Sequence, residues 1–305
     1  MVASLLLWLL GLFTGANDGG SLRESIIYGF SVSQNWLGSL LALPIYLLIA
    51  YILNSLVILE SRTSWLAFLF LYLLSMNFFL HGNLWLAISL LLFILSITIL
   101  SSCIDYDGVQ RRIYAIFLFF ALSAIFFPQL IYLLPIFFLY LYISKILKFR
   151  NLLAALLGIA TPLWLLFGTA YISPQLKAFT TPLLSRVTGL FVMKTALSLT
   201  VAQLLFMSIE VMLLIHSVWL LIATSNPAKP IMRRMLSLFI ITNAYLWILS
   251  FFSVNNFNMF FVWRLPGVAL MLAYVATVKV TKLSNIYFVI LNILLLIVAF
   301  LGLWN

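Results

Sequence analysis

The chain has 305 residues, of which 66% are hydrophobic and only 7% charged, with a mean hydropathy of +1.23. A soluble domain carries roughly a quarter of its residues as charged groups to solvate its surface, so a soluble globular class is excluded and lipid becomes the main solvent. The net charge of +10 is scattered through short segments between apolar runs, which is the pattern of membrane insertion and not of a nucleic-acid patch.

The first apolar run, 3–16, ends in the polar sequence NDGGSLRES. No Lys or Arg precedes it, which favours a first spanning helix over a cleaved signal peptide. Further runs follow at 36–59, 65–80, 84–103, 113–127, 129–144, 152–172, 199–224, 235–252, 258–278 and 284–304. A crossing needs about 20 apolar residues. The pair 113–127 and 129–144, joined at Pro128, is short for two crossings and suits a tilted hairpin or a re-entrant pair. The expected fold is therefore all-α, a polytopic transmembrane helical bundle in one integral membrane domain over 1–305. It has 11 spans, or 9 if 113–144 is re-entrant. Pro44, Pro135, Pro162 and Pro266 fall inside runs and predict kinks. At Pro266-Gly267 an unwound backbone would be able to line a cavity.

Alternating the spans places eleven of the Lys and Arg residues on one side and Arg23, Lys177, Arg186 and Lys194 on the other, with Arg264 inside a span. By the positive-inside rule the first set is cytoplasmic, and so is the N-terminus. Removing both runs of the 113–144 pair preserves that parity. Trp36, Trp65, Trp85, Trp219, Trp263 and Trp304 lie near run ends, as interfacial anchors do. The longest outer connections are then 17–35, with Asp18 and Glu24, and 173–198, with Arg186 and Lys194.

The stretch 199–225, LTVAQLLFMSIEVMLLIHSVWLLIATS, is the one the other spans are expected to pack around. Glu210 is the chain's one acidic residue well inside an apolar run, and such a group turns toward other helices or a wet cavity. Three readings of the intramembrane charges Glu210 and Arg264 stand side by side. They form a functional site, a carboxylate for proton work and a guanidinium for phosphate; they pair and lock two helices; or Arg264 snorkels to the outer headgroups. His216 stands six residues after Glu210, off the same-face spacing.

Other chemistry is thin. Asp105-Tyr106-Asp107 has the form of a metal-binding DxD but reads better as a solvated loop beside Arg111 and Arg112. There is no Walker lysine loop, HExxH or GxSxG, and two histidines with one cysteine make no metal site, so no cofactor is expected. Cys103 alone precludes an internal disulfide. No clear inverted repeat is visible, which weakens a secondary-transporter reading.

In the central third, RRIYAIFLFFALSAIFFPQLIYLLPIFFLYLYISKILKFRNLLAALLGIATPLWLLFG (111–168) combines a basic start, a hairpin around Phe127-Pro128, the stretch from Lys148 to Leu152, and Gly158 to Pro162. This segment resembles a family of multi-pass inner-membrane proteins of Bacteroidota, a domain of unknown function. The resemblance implies a bacterial cytoplasmic-membrane protein and assigns no functional residue.

Two functions from different classes follow. One is a non-enzymatic membrane subunit or carrier in cell-envelope biogenesis, its partners the bilayer and other membrane subunits, with Glu210 as a structural or proton-coupled charge. The other is a periplasm-facing enzyme on polyprenyl-phosphate-linked glycans. Many spans and an acidic residue in the first outer loop make the chain similar in architecture to GT-C-type membrane glycosyltransferases. That resemblance implies Asp18 or Glu24 as base and Arg186, Lys194 or Arg264 as phosphate ligands. The short first loop and the lack of an outer domain depart from that pattern. With no catalytic signature present, the first reading is preferred; neither involves nucleic acid.

Overall fold

The structure, a computed structural model, describes residues 36–56, 65–75, 84–103, 108–172, 201–223, 230–252 and 257–278, and at the C-terminal side 289–291, 293–295 and 297. Among the described residues the protein is all-helical. The α-helices are α1 (Trp36–Leu56), α2 (Trp65–Ser75), α3 (Leu84–Ser102), α4 (Val109–Phe126), α5 (Leu134–Ile143), α6 (Phe149–Ile172), α7 (Val201–Ala223), α8 (Pro230–Phe252) and α9 (Phe257–Val278). A 3-10 turn, Pro128–Leu133, precedes α5. In lipid a backbone must satisfy its own hydrogen bonds, and runs dominated by Leu, Ile and Phe do so as helices.

Among the described residues, four helices are long and apolar enough to cross a membrane: Leu84–Ser102, Val109–Phe126, and the segments Phe149–Gly168 of α6 and Gln203–Ile222 of α7. The chain divides into two compact units. One comprises Thr14–Tyr46 and Gly82–Val192; the other comprises Met1–Phe13, Leu47–His81 and Met193–Asn305.

In the unit holding α3 to α6, α4 packs on both α3 and α6. Helices α3 and α4 run antiparallel, tied at both ends. At one end the Ser89 and Ser123 hydroxyls lie 2.8 Å apart, and Trp85 stacks on Phe126 with ring centroids 5.2 Å apart. At the other, Arg112 Nη1 donates to the Ser102 carbonyl at 3.3 Å. After the turn at Phe127, α5 returns and inserts Phe137 against Phe93 and Phe120, with centroids 6.5 and 4.7 Å away. Helix α6 then packs very close to α4. The Tyr114 hydroxyl meets Thr161 Oγ1 at 3.2 Å, and a methyl group on Gly158 would fall 2.6 Å from the Tyr114 carbonyl oxygen. Only a glycine permits that approach.

In the other unit, α9 packs against α2, α7 and α8. From Phe260 to Tyr274 all described side chains of α9 but Phe261 are buried. This helix, not α7, is the one that its neighbours surround. Helix α7 leaves Met212, Ile215, Trp219 and Ile222 exposed along one side, so it presents a face and not a whole circumference to protein.

Several expectations about local structure are corrected. Helix α4 begins at Val109, four residues before the apolar run, because Gln110, Arg111 and Arg112 enter its first turn; it thereby reaches 18 residues, long enough for a crossing. Pro135 stands in the first turn of α5, where a missing N–H costs nothing, and not inside a helix. Pro44, Pro162 and Pro266 do lie inside helices. The backbone at Pro266-Gly267 stays helical and lines no unwound segment. Trp263 is a core residue at 1% exposure, with its ring 6.2 Å from that of Phe260; it is not an interfacial anchor.

Candidate functional site: a buried ion pair between two helices

Glu210 occupies the middle of the 23-residue α7, flanked by the buried Phe206, Met207, Ile209 and Leu213. Arg264 lies within α9 between Trp263 and Leu265, both buried. The two helices meet one turn away, where the Phe206 and Phe261 rings stand 4.3 Å apart. That contact sets the helices so that the charged side chains converge. Arg264 Nη1 donates to Glu210 Oε2 at 2.8 Å, and both side chains have 0% exposure. The guanidinium carbon also sits 6.0 Å from the Phe261 ring centroid, within cation–π reach.

Of the three readings of these charges, snorkelling is thus excluded. A snorkelling arginine keeps its head in the polar interface, whereas this one is sealed among helices and bound to a carboxylate. The pair is the arrangement expected when two charges are forced into an apolar bundle: the Coulomb attraction of each offsets the desolvation of the other. Glu210 Oε1 is buried and accepts no hydrogen bond among the described residues. The carboxylate therefore has an unused lone-pair oxygen, the atom at which a proton would add.

A second polar residue stands close by. Asn243 on α8 is fully buried, and neither its Oδ1 nor its Nδ2 has a hydrogen-bond partner among the described residues. Its amide lies against Gly267 of α9: a methyl group there would come within 2.8 Å of Asn243 Cγ. Gly267 is three residues beyond Arg264, a same-face spacing on a helix. On α7, Ser217 lies two turns from Glu210 and its hydroxyl is likewise buried without a partner. Among the described residues, Glu210, Arg264, Asn243 and Ser217, with Thr242 and Ser250 of α8, are the buried polar and charged side chains of α7–α9.

Of the residues picked from the sequence, the structure brings together Glu210 and Arg264. Asp18, Glu24, Arg186 and Lys194 lie outside the described residues, as do Asp105 and Asp107. His216 is half-buried, with its ring 5.8 Å from that of Trp219. No group of three His, Cys, Asp or Glu side chains that would hold a metal occurs among the described residues. Sequence reasoning passed over Asn243 and Ser217. Thr242-Asn243, a polar pair in the apolar run IITNAYLW, was a usable signal for the first; a lone serine such as Ser217 carries none.

Among the described residues, fold and site together define an all-helical protein with four helices long and apolar enough to cross a membrane and a buried interhelical ion pair. Comparison with protein-family models, curated proteins and solved structures returns no match.

Proposed function

We propose that this is a multi-pass protein of a bacterial cytoplasmic membrane, a non-enzymatic subunit or carrier in envelope biogenesis, with the Glu210–Arg264 pair as its central intramembrane charge. The resemblance of segment 111–168 to inner-membrane proteins of Bacteroidota supports the location. The distribution of Lys and Arg supports the N-terminus inside, with eleven spans or with nine if 113–144 is re-entrant.

The observation that carries the functional reading is the 2.8 Å contact between two fully buried charges. An arginine already spent on a carboxylate is a poor phosphate ligand, because recruiting it would strand Glu210 in an apolar wall. The same contact suits a device that fixes two helices, or that releases one when a proton reaches Glu210 Oε1.

Lipid extracts from cells lacking the protein, scanned by mass spectrometry for polyprenyl-linked glycans, provide the test. The subunit or carrier reading expects an unchanged profile. Accumulation that wild type reverses, but Asp18→Asn or Glu24→Gln does not, would replace it with a periplasm-facing enzyme of the GT-C type.

A further inference from the structure

Four cations stand at one end of the α3–α6 unit with no partner among the described residues. Helix α5 returns alongside α4, with Phe137 and Phe138 against Phe117 and Phe120, so the short, hydrogen-bonded α5–α6 connection brings the first turn of α6 back toward the end where α4 starts. Arg111 stands in the first turn of α4, Arg150 in the first turn of α6, and Lys145 and Lys148 in the connection between α5 and α6. All four are exposed, and none makes an ion pair or side-chain hydrogen bond among the described residues. The fifth cation of this end, Arg112, is half-buried and bonded to Ser102. Asp105 and Asp107, in the segment leading into α4, are too few to balance five cations.

The helices make this end more positive still. The start of a helix carries a partial positive charge and favours anions, yet the first turns of α4 and α6 contain no acidic residue. Gly108, at the N-cap of α4, has no side chain to cap with. Cations placed at two helix starts repel both the dipoles and one another, so an anion from outside the chain relieves both. Beside them Tyr142 and Phe149 are 69% and 74% exposed, with Ile143 and Leu147 also open. Aromatic and aliphatic side chains interleaved with cations suit the headgroup boundary of a bilayer, where a phosphate meets the cations and its acyl chains meet the rings.

We propose that this end of the α3–α6 unit, built from Arg111, Lys145, Lys148 and Arg150 with Tyr142 and Phe149, binds the phosphate headgroup of an anionic phospholipid. The site rests on the membrane placement proposed above, but on neither the subunit nor the carrier role.

The full chain, purified in a zwitterionic detergent, is titrated with phosphatidylglycerol or phosphatidylcholine, and bound lipid is counted by native mass spectrometry. Wild type is expected to retain phosphatidylglycerol preferentially. Each cation removed, up to R111Q/K145Q/K148Q/R150Q, weakens retention about fivefold. The control K279Q/K282Q, which removes cations from another segment, leaves retention intact. Equal retention by wild type and the fourfold variant, or no preference between the two lipids, overturns the site. Displacement by millimolar inorganic phosphate also overturns it, in favour of a soluble anion. Should the fourfold variant lose its helical circular dichroism, R111Q and K148Q singly give the same reading, since both side chains are exposed and unbonded. Failure of the wild-type chain to fractionate with membranes would instead remove the membrane placement itself, a result distinct from loss of lipid preference.

Discussion

Arg264 and Glu210, 54 positions apart in the chain, are joined by a 2.8 Å hydrogen bond with neither side chain exposed. Removing one partner strands the other charge in an apolar bundle, which costs about 3–5 kcal/mol. Replacing both by apolar residues of similar size removes the desolvation cost as well and is neutral or stabilising by about 1–4 kcal/mol. We therefore expect Glu210→Leu and Arg264→Met each to depress thermal stability in detergent strongly, and the double variant to recover it. Strictly additive losses would show that the two charges are not coupled. Raising salt to about 1 M should leave wild-type stability unchanged through this pair, because screening reaches exposed charges and not dry ones.

The packing of Asn243 against Gly267 predicts a second coupled pair. A methyl group at Gly267 would lie 2.8 Å from Asn243 Cγ and 3.0 Å from its Oδ1. Exchanging a helical Gly for Ala ordinarily gains about 1 kcal/mol in propensity, but overpacking a filled site costs about 1–3 kcal/mol. The collision is with a short side chain that has few places to go, so the loss dominates. Gly267→Ala should lower the melting temperature, and adding Asn243→Ala should restore part of it by removing the obstacle. If Gly267→Ala alone raised the melting temperature, the contact would be looser than the geometry states.

What the sequence disclosed here, and what it withheld, follows the physics of each signal. Helicity and apolar length are one-dimensional properties: the runs 199–224 and 258–278 became Val201–Ala223 and Phe257–Val278 almost unchanged. A lone charge in an apolar run is also visible at once, since its burial needs a compensating partner; hence both members of the ion pair were picked out, with their contact as one of three readings. Partner choice depends on which helices adjoin, and apolar helices with little amphipathic contrast do not announce their neighbours. Thus α7 looked like the centre of the bundle while α9 is the enclosed helix. Pro266-Gly267 was legible as a special place for the wrong reason. The glycine admits a close side chain from α8 and does not unwind the backbone.

Gly158 makes a parallel prediction in the other unit. A methyl group there would meet the Tyr114 carbonyl oxygen at 2.6 Å, Phe117 Cβ at 3.0 Å and the Leu118 nitrogen at 3.1 Å. Two of these atoms belong to the backbone of α4, which cannot turn aside as a flexible side chain does. Gly158→Ala must therefore push α6 away from α4, lengthening the Tyr114–Thr161 hydrogen bond, and should cost about 1–3 kcal/mol. Gly168, near the end of the same helix, has open space around it, so Gly168→Ala should be neutral or mildly stabilising. Denaturant midpoints of the two variants in detergent decide the matter. Equal effects at the two glycines would mean that α4 and α6 do not approach this closely.

The serine pair between α3 and α4 distinguishes its two members. Ser123 Oγ lies 2.8 Å from the Ser89 carbonyl and 2.8 Å from the Ser89 hydroxyl, whereas Ser89 Oγ reaches the Ser123 carbonyl only at 3.3 Å. In Ser89→Ala the Ser123 hydroxyl keeps its short bond to the backbone, so no buried donor is stranded. In Ser123→Ala the Ser89 hydroxyl is left with the long contact alone. Interhelical side-chain hydrogen bonds in membrane bundles are worth about 0.6 kcal/mol on average and at most about 1.7 kcal/mol. Ser123→Ala should accordingly cost close to the upper figure and Ser89→Ala close to nothing, while the double variant should cost no more than Ser123→Ala. Unfolding free energies of the three variants test this ordering. A larger loss for Ser89→Ala than for Ser123→Ala would mean that the short bond runs through the Ser89 hydroxyl and not through its carbonyl.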